Sequence, residues 1–172
     1  MEKLNSTIRG SKVVTFGTVM LEEGKRLRWI RHRDELRRLP VEKQKQLQKL
    51  AATRIARMKA KVLFVDTHLF IRTGEGFWPG LPFEVVRALK PTHLILVEAD
   101  PKEIISRRQA DKSRYRDKVT TKDLEGELSI ARSFLTVSST LTGAPILIAA
   151  NRQGKSTVVA KGLARVLLGA AG

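Results

Sequence analysis

Apolar residues recur along the chain in two different periodicities, and the alternation between them sets the expected fold. In SKVVTFGTVM (11–20) a β-branched run from Val13 to Phe16 precedes a Gly, the pattern of a short buried strand ending in a turn. From about Glu22 to Lys59 the spacing is helical: Leu27, Ile30, Leu36 and Leu39 precede Pro40, and Leu47, Leu50, Ala51, Ile55 and Met58 follow it. Proline suits the first turn of a helix, so Pro40 is expected to open a second one. KVLFVDTH (61–68) is continuously apolar until its final Asp-Thr-His, as a strand covered on both faces must be. RTGEGFWPGLP (72–82) reads as a Gly and Pro loop, and Phe83–Leu89 as a short helix. THLILVEADPKEIISRRQ (92–109) repeats the scheme, with a strand at 94–98, a turn at Asp100–Pro101 and a helix. A polar segment (111–122) leads into a long helix at about Lys122–Thr140, then a strand in APILIAAN (144–151) and an apolar-faced helix over Thr157–Leu168.

Strands and helices in this order imply an α/β fold with a parallel sheet between two helical layers. Four strands are evident. A length of 172 residues fits a single domain. No run of 18 apolar residues occurs and MEKLNSTIRG has no signal-like core, so a cytoplasmic protein is expected. The chain has no Cys, which excludes a disulfide framework or a thiolate metal site.

Charge changes the picture more. Lys and Arg number 33 against 17 Asp and Glu, a net +16, which favours polyanionic partners such as nucleotides or nucleic acid. The positive residues concentrate in KRLRWIRHRDELRR (25–38) and SRRQADKSRYRDK (106–118).

Ligands of parallel sheets collect at the carboxyl ends of the strands. Those ends here are Phe16-Gly17-Thr18, Asp66-Thr67-His68, Glu98-Ala99-Asp100 and Asn151-Arg152. Asp66 after an apolar strand has the form of a carboxylate that holds nucleotide-bound magnesium through water, or one that caps the following turn. Arg72 and the cluster Arg114-Tyr115-Arg116 are of the kind that closes over phosphates and neutralises developing charge. His32, His68 and His93 lack metal-ligand spacing. Trp29, Phe77 and Trp78 are too scattered for a base-stacking platform, and Phe77-Trp78 reads as a pocket cover or core.

FVDTHLFIRT with GFWPGLP, LILVEADPKEIISRRQADKSRYRD, and IARSFLTVSSTLTGAPILI together resemble the archaeal-type adenylate kinase family, over nearly all of residues 12–168. The resemblance implies the P-loop nucleoside monophosphate kinase fold and transfer of the terminal phosphoryl of MgATP to AMP, giving two ADP. It implies an AMP-binding flap at about 18–60 and a lid at about 107–121. On the AMP side it places Phe16, Gly17, Arg72, Gly80 and Pro82, with Arg33 or Arg37 on the AMP phosphate. It assigns Asp66 to Mg2+, and Arg107, Arg114 and Arg116 to the lid over ATP, with Arg132 reaching in from the next helix. Asn151 and Gly154 fall near the ATP adenine. A homotrimer is the implied assembly.

Three positions depart from the family pattern. Thr18 stands where Asp is more usual, and Ala110 where a basic lid residue is common. The third departure is larger: the family's first strand, central between 62–66 and 94–98, and its phosphate loop GxPGxGKST have no counterpart before residue 10. AANRQGKST (149–157) carries a similar string near the other end. Three arrangements accommodate this: a start upstream of Met1; a shortened chain that binds nucleotide without turnover; or a displaced strand at 146–150 that fills the central position and makes Gly154, Lys155 and Ser156 the phosphate loop. Only the third puts 146–150 between 62–66 and 94–98. A basic nucleic-acid binder using the 25–61 helices is the competing function, expected to weaken steeply with salt.

Overall fold

A computed structural model describes residues 1–73, 76–110 and 119–169. A short helix α1 (Glu2–Thr7) leads into β1 (Ser11–Thr15), which passes directly into α2 (Phe16–Arg26). A 3-10 segment (Arg33–Arg38) joins α2 to α3 (Val41–Ala56), with Pro40 at the junction as the sequence requires. There follow β2 (Val62–Asp66), the hairpin β3 (Phe70–Thr73) and β4 (Gly76–Pro79), α4 (Phe83–Leu89), β5 (Leu94–Glu98) and α5 (Pro101–Ala110). The described chain ends with α6 (Thr121–Thr142), β6 (Ile146–Ala150) and α7 (Ser156–Gly169).

Three local features differ from expectation. The helical spacing read from Glu22 to Pro40 gives an α-helix only as far as Arg26, because Arg28 turns the chain with φ +59° and a 3-10 segment follows. Helix α2 begins at Phe16, six residues before the periodic pattern suggested, so Gly17 lies in a first helical turn rather than a loop. The reason is packing: Phe16, Val19 and Glu23, at intervals of three and four, are buried on one face. The segment 72–82 is not wholly a loop, because Phe70, Ile71, Arg72 and Thr73 pair antiparallel with Pro79, Trp78, Phe77 and Gly76. Phe70 meets Phe77 edge-to-face with ring centroids 5.0 Å apart, which favours the pairing.

The strands that alternate with helices are parallel, in two pairs. β1 pairs with β2 from Ser11↔Val62 to Thr15↔Asp66, and β5 pairs with β6 from Leu94↔Ile146 to Glu98↔Ala150. Helices cover both faces of the first pair. Val14, Leu63 and Val65 pack with Ala51 and Ile55 of α3 and Val85 of α4, whereas Val13 and Phe64 pack with Leu4 of α1 and Ala160 and Ala164 of α7. This gives the helix, sheet, helix layering expected. Leu94 of the second pair packs against Leu135 of α6. Val97, on the opposite face of β5, is 48% exposed.

No ladder joins β2 to β5 among the described residues. Between them runs a cavity of about 1380 Å³, lined by all of Val62–Asp66 on one side and Leu94–Val97 on the other. β6 does not line it. The 146–150 strand therefore lies on the outer side of β5, not in the central position, and the displaced-strand arrangement does not occur.

Helix α6 is fixed at both ends by local chemistry. Thr120 Oγ1 accepts from the Asp123 backbone N–H at 3.1 Å while Asp123 accepts from the Thr120 N–H at 2.8 Å, a reciprocal cap. At the other end Gly143 adopts φ +72° and donates to the Ser139 carbonyl at 2.8 Å.

Candidate active site

The parallel strands end side by side, Thr15 beside Asp66 and Glu98 beside Ala150, and the chemistry gathers at those ends. Asp66 is exposed at the end of β2, at the rim of the large cavity with Thr15 and His68. Among the described residues no group of three or more His, Asp or Glu converges. A lone carboxylate fits a magnesium ion that arrives on a nucleotide, its shell otherwise made of phosphate oxygens and water.

On the β1 side, a Cβ added to Gly17 would lie 3.0 Å from Arg33 Nη2, so the absence of a side chain lets the guanidinium approach the first turn of α2. Arg37, the sequence alternative, makes no such approach to Gly17. The Phe16 ring is 3% exposed and belongs to the core with Val14, Val19 and Ile55. Gly80 is enforced more strictly, since a Cβ there would sit 2.0 Å from the His68 carbonyl oxygen. Its N–H donates to the Leu69 carbonyl at 2.9 Å, closing the hairpin base. Pro82 opens α4, its carbonyl accepting from Val85 and Val86 at 2.9 and 3.1 Å.

Arg72, Arg107 and Arg132 are each held by a glutamate. Arg72 Nη1 donates to Glu127 at 3.3 Å, and Arg107 Nη2 to Glu103 at 2.7 Å. Arg132 donates from both Nε and Nη2 to Glu98, and this pairing holds its guanidinium pKa above the ordinary Arg value. Arg114 and Arg116 lie outside the described residues. A second cavity of about 550 Å³ opens at the ends of β5 and β6, with Glu98, Asp100, Arg132, Asn151 and Arg152 in its wall.

The turn after β6 is stapled to α5. Arg107 Nε donates to Gln153 Oε1 at 2.9 Å and its Nη2 to the Asn151 carbonyl at 2.9 Å, while Glu103 accepts from the Gln153 N–H at 3.1 Å. Gly154 turns the chain with φ +72°. Lys155 is exposed, and Ser156 Oγ accepts from Lys3 Nζ at 2.8 Å. With β6 on the outer edge, the condition that would make Gly154, Lys155 and Ser156 a central phosphate loop is not met.

Sequence reading did not assign roles to Glu98, Glu103 or Glu127. The Glu103–Arg107 pair carried a signal, the i,i+4 spacing on one helix. The other two pairs join residues 34 and 55 apart and carried none.

The AAA domain family matches residues 1–125. The chain is 44% identical over 142 residues to the adenylate kinase of Methanocaldococcus jannaschii, covering 82% of this chain and 74% of that one. It is 40% identical over 151 residues to the adenylate kinase of Methanopyrus kandleri, with 86% and 79% covered. To that of Sulfurisphaera tokodaii it is 39% identical over 163 residues, with 92% and 84% covered. Parallel strands ending at Asp66, Glu98 and Ala150, Arg132 and Arg107 bound at the last two ends, and relatives of this identity along most of its length show that the chain belongs to the adenylate kinase family.

Proposed function

We propose that the chain transfers the terminal phosphoryl group of MgATP to AMP, reversibly, giving two ADP, with the site at the carboxyl ends of β1, β2, β5 and β6. The observation that carries this reading is the presence of arginines at several strand ends: Arg33 approaches Gly17 just beyond β1, Arg132 holds Glu98 at the end of β5, and Arg107 donates to the Asn151 carbonyl just beyond β6. Phosphoryl transfer needs little covalent help from a protein and much positioning and neutralisation, which such an array supplies.

In this mechanism the AMP phosphate rests between Arg33 and Arg72, with Gly17 leaving room for it and Gly80 and Pro82 shaping the base pocket. An oxygen of that phosphate attacks the terminal phosphorus of ATP in line, and the bond to the bridging oxygen of the leaving ADP breaks. Arg132 and the lid arginines Arg114 and Arg116 neutralise charge on the transferring group. Magnesium, positioned by Asp66 through water, would spread charge over the terminal phosphates. Asn151, Gly154 and Arg107 lie toward the adenine end of ATP. A trimer, implied by family resemblance, is read by light scattering coupled to gel filtration.

A coupled assay with MgATP and AMP tests the reading. Arg33→Ala is expected to raise KM for AMP by roughly tenfold or more and to leave KM for ATP within about twofold. Equal effects on both substrates, or the same loss from Arg37→Ala, would remove the assignment of Arg33. Lys155→Ala is expected to leave turnover unchanged.

A further inference from the structure

The Glu98 and Arg132 side chains differ sharply in exposure, 16% against 56%. The carboxylate is set into the wall at the end of β5, and the guanidinium projects from α6 into the rim of the second cavity. Contact is along one edge: Nε donates to Oε2 at 3.2 Å, and Nη2 to Oε1 and Oε2 at 2.9 and 3.0 Å. A guanidinium has a second donor edge, and Arg132 Nη1 makes no hydrogen bond among the described residues. An arginine alone would sample many rotamers about its long stem. Gripped along Nε and Nη2 by a fixed carboxylate, it presents the Nη1 edge in a single direction.

We propose that Glu98 is a positioning residue, whose carboxylate holds the Nε–Nη2 edge of Arg132 so that the Nη1 edge meets the phosphoryl group in flight. The proposal rests on the phosphoryl-transfer reading of the site. It assigns Glu98 no contact with substrate and no proton to move. It differs from a parking role, in which phosphates would have to strip Arg132 from Glu98 before reaction.

The test is a cycle of Glu98→Gln, Arg132→Lys and the double variant in the whole chain, with each variant's Tm measured alongside. Glu98→Gln keeps the shape and removes the charge. It is expected to lower kcat by roughly 10- to 100-fold, as loss of orientation does, with KM for AMP and ATP within about twofold. Arg132→Lys is expected to lower kcat at least as far, and the double variant no further than Arg132→Lys alone. The Arg132 Nε–H resonance should be distinct and slowly exchanging in the parent and merge with the bulk arginine signal in Glu98→Gln. Multiplying losses in the double variant, an unchanged Nε–H signal, or a kcat that holds or rises in Glu98→Gln would overturn the positioning role while leaving the site reading in place. A parent chain without transfer activity would remove the site reading and this role together.

Discussion

Glu23 shows how one buried carboxylate can carry a junction. Its side chain, 8% exposed, accepts from Arg26 Nε at 2.8 Å and from Arg54 Nη1 at 3.1 Å, tying α2 to α3, while Arg54 also reaches Glu22 at 2.7 Å. Burial pushes the Glu23 carboxyl upward, but the hydrogen bonds from Arg26 and Arg54 outweigh it and leave the group below the ordinary Glu value. The unfolded chain therefore takes up the proton first. The stabilisation is present in full above the unfolded value of about 4.3 and is lost as pH falls through the lower folded value. Urea midpoints at neutral pH and below pH ~4 are expected to differ less in Glu23→Gln than in the parent, with the variant weaker at neutral pH. A parallel decline in both would assign acid sensitivity elsewhere.

Gly80 gives a second test at this scale. The clash of an added Cβ is with the His68 backbone, which has no rotamer to escape into. Gly80→Ala should cost about 1–3 kcal/mol by urea denaturation. Gly17→Ala meets only the tip of a flexible arginine. It should leave stability nearly unchanged and weaken AMP binding instead, a separation that calorimetry with AMP would read directly. That Asp66 ends a strand and that Arg132 stands on a long helix was legible in the sequence, whereas Arg72, expected in a loop, lies in β3. Which of Arg33 and Arg37 approaches Gly17 was not legible, because both stand in one polar 3-10 segment and only the fold brings one of them there.

Elements were legible in proportion to the burial they carry. β2 and β5 announce themselves as apolar runs, and α3 as a helix with Leu47, Ala51, Ala52 and Ile55 fully buried. The β3–β4 hairpin was hidden, since FIRT and GFWP are only four residues each, too short for a periodic pattern, and the second holds a Gly and a Pro that read as loop. The start of α2 was hidden for another reason: Gly17 has low helix propensity, and tertiary packing of Phe16 and Val19 overrides it. Helix α6 carries both Glu127 and Arg132, so its anchoring matters to both sides of the site. Removing its cap with Thr120→Ala is expected to lower Tm by a few degrees, and Thr120→Ser to restore most of it. Equal losses from the two changes would mean that the hydroxyl is not what anchors the helix.

At the scale of the molecule, the layered α/β architecture follows from the alternation of apolar runs and amphipathic segments. Its division into two strand pairs rests on hydrogen bonds that no local pattern encodes. The inner edges of β2 and β5 face a cavity rather than another strand. In hydrogen exchange, amides on those inner edges should lose protons orders of magnitude faster than amides facing β1 or β6. Uniform protection across β2 and β5 would show that the edges find a partner in solution.

Two such edges, with Val97 exposed on one of them, are also a template on which separate copies can line up strand to strand. What opposes this is long-range repulsion, because every copy carries +16. Salt shortens that repulsion, to about 8 Å at physiological ionic strength and about 3 Å at 1 M. The colloidal life of this protein is thus a contest between sticky edges and a cationic halo, and light scattering should report clustering that begins only once added salt has thinned the halo.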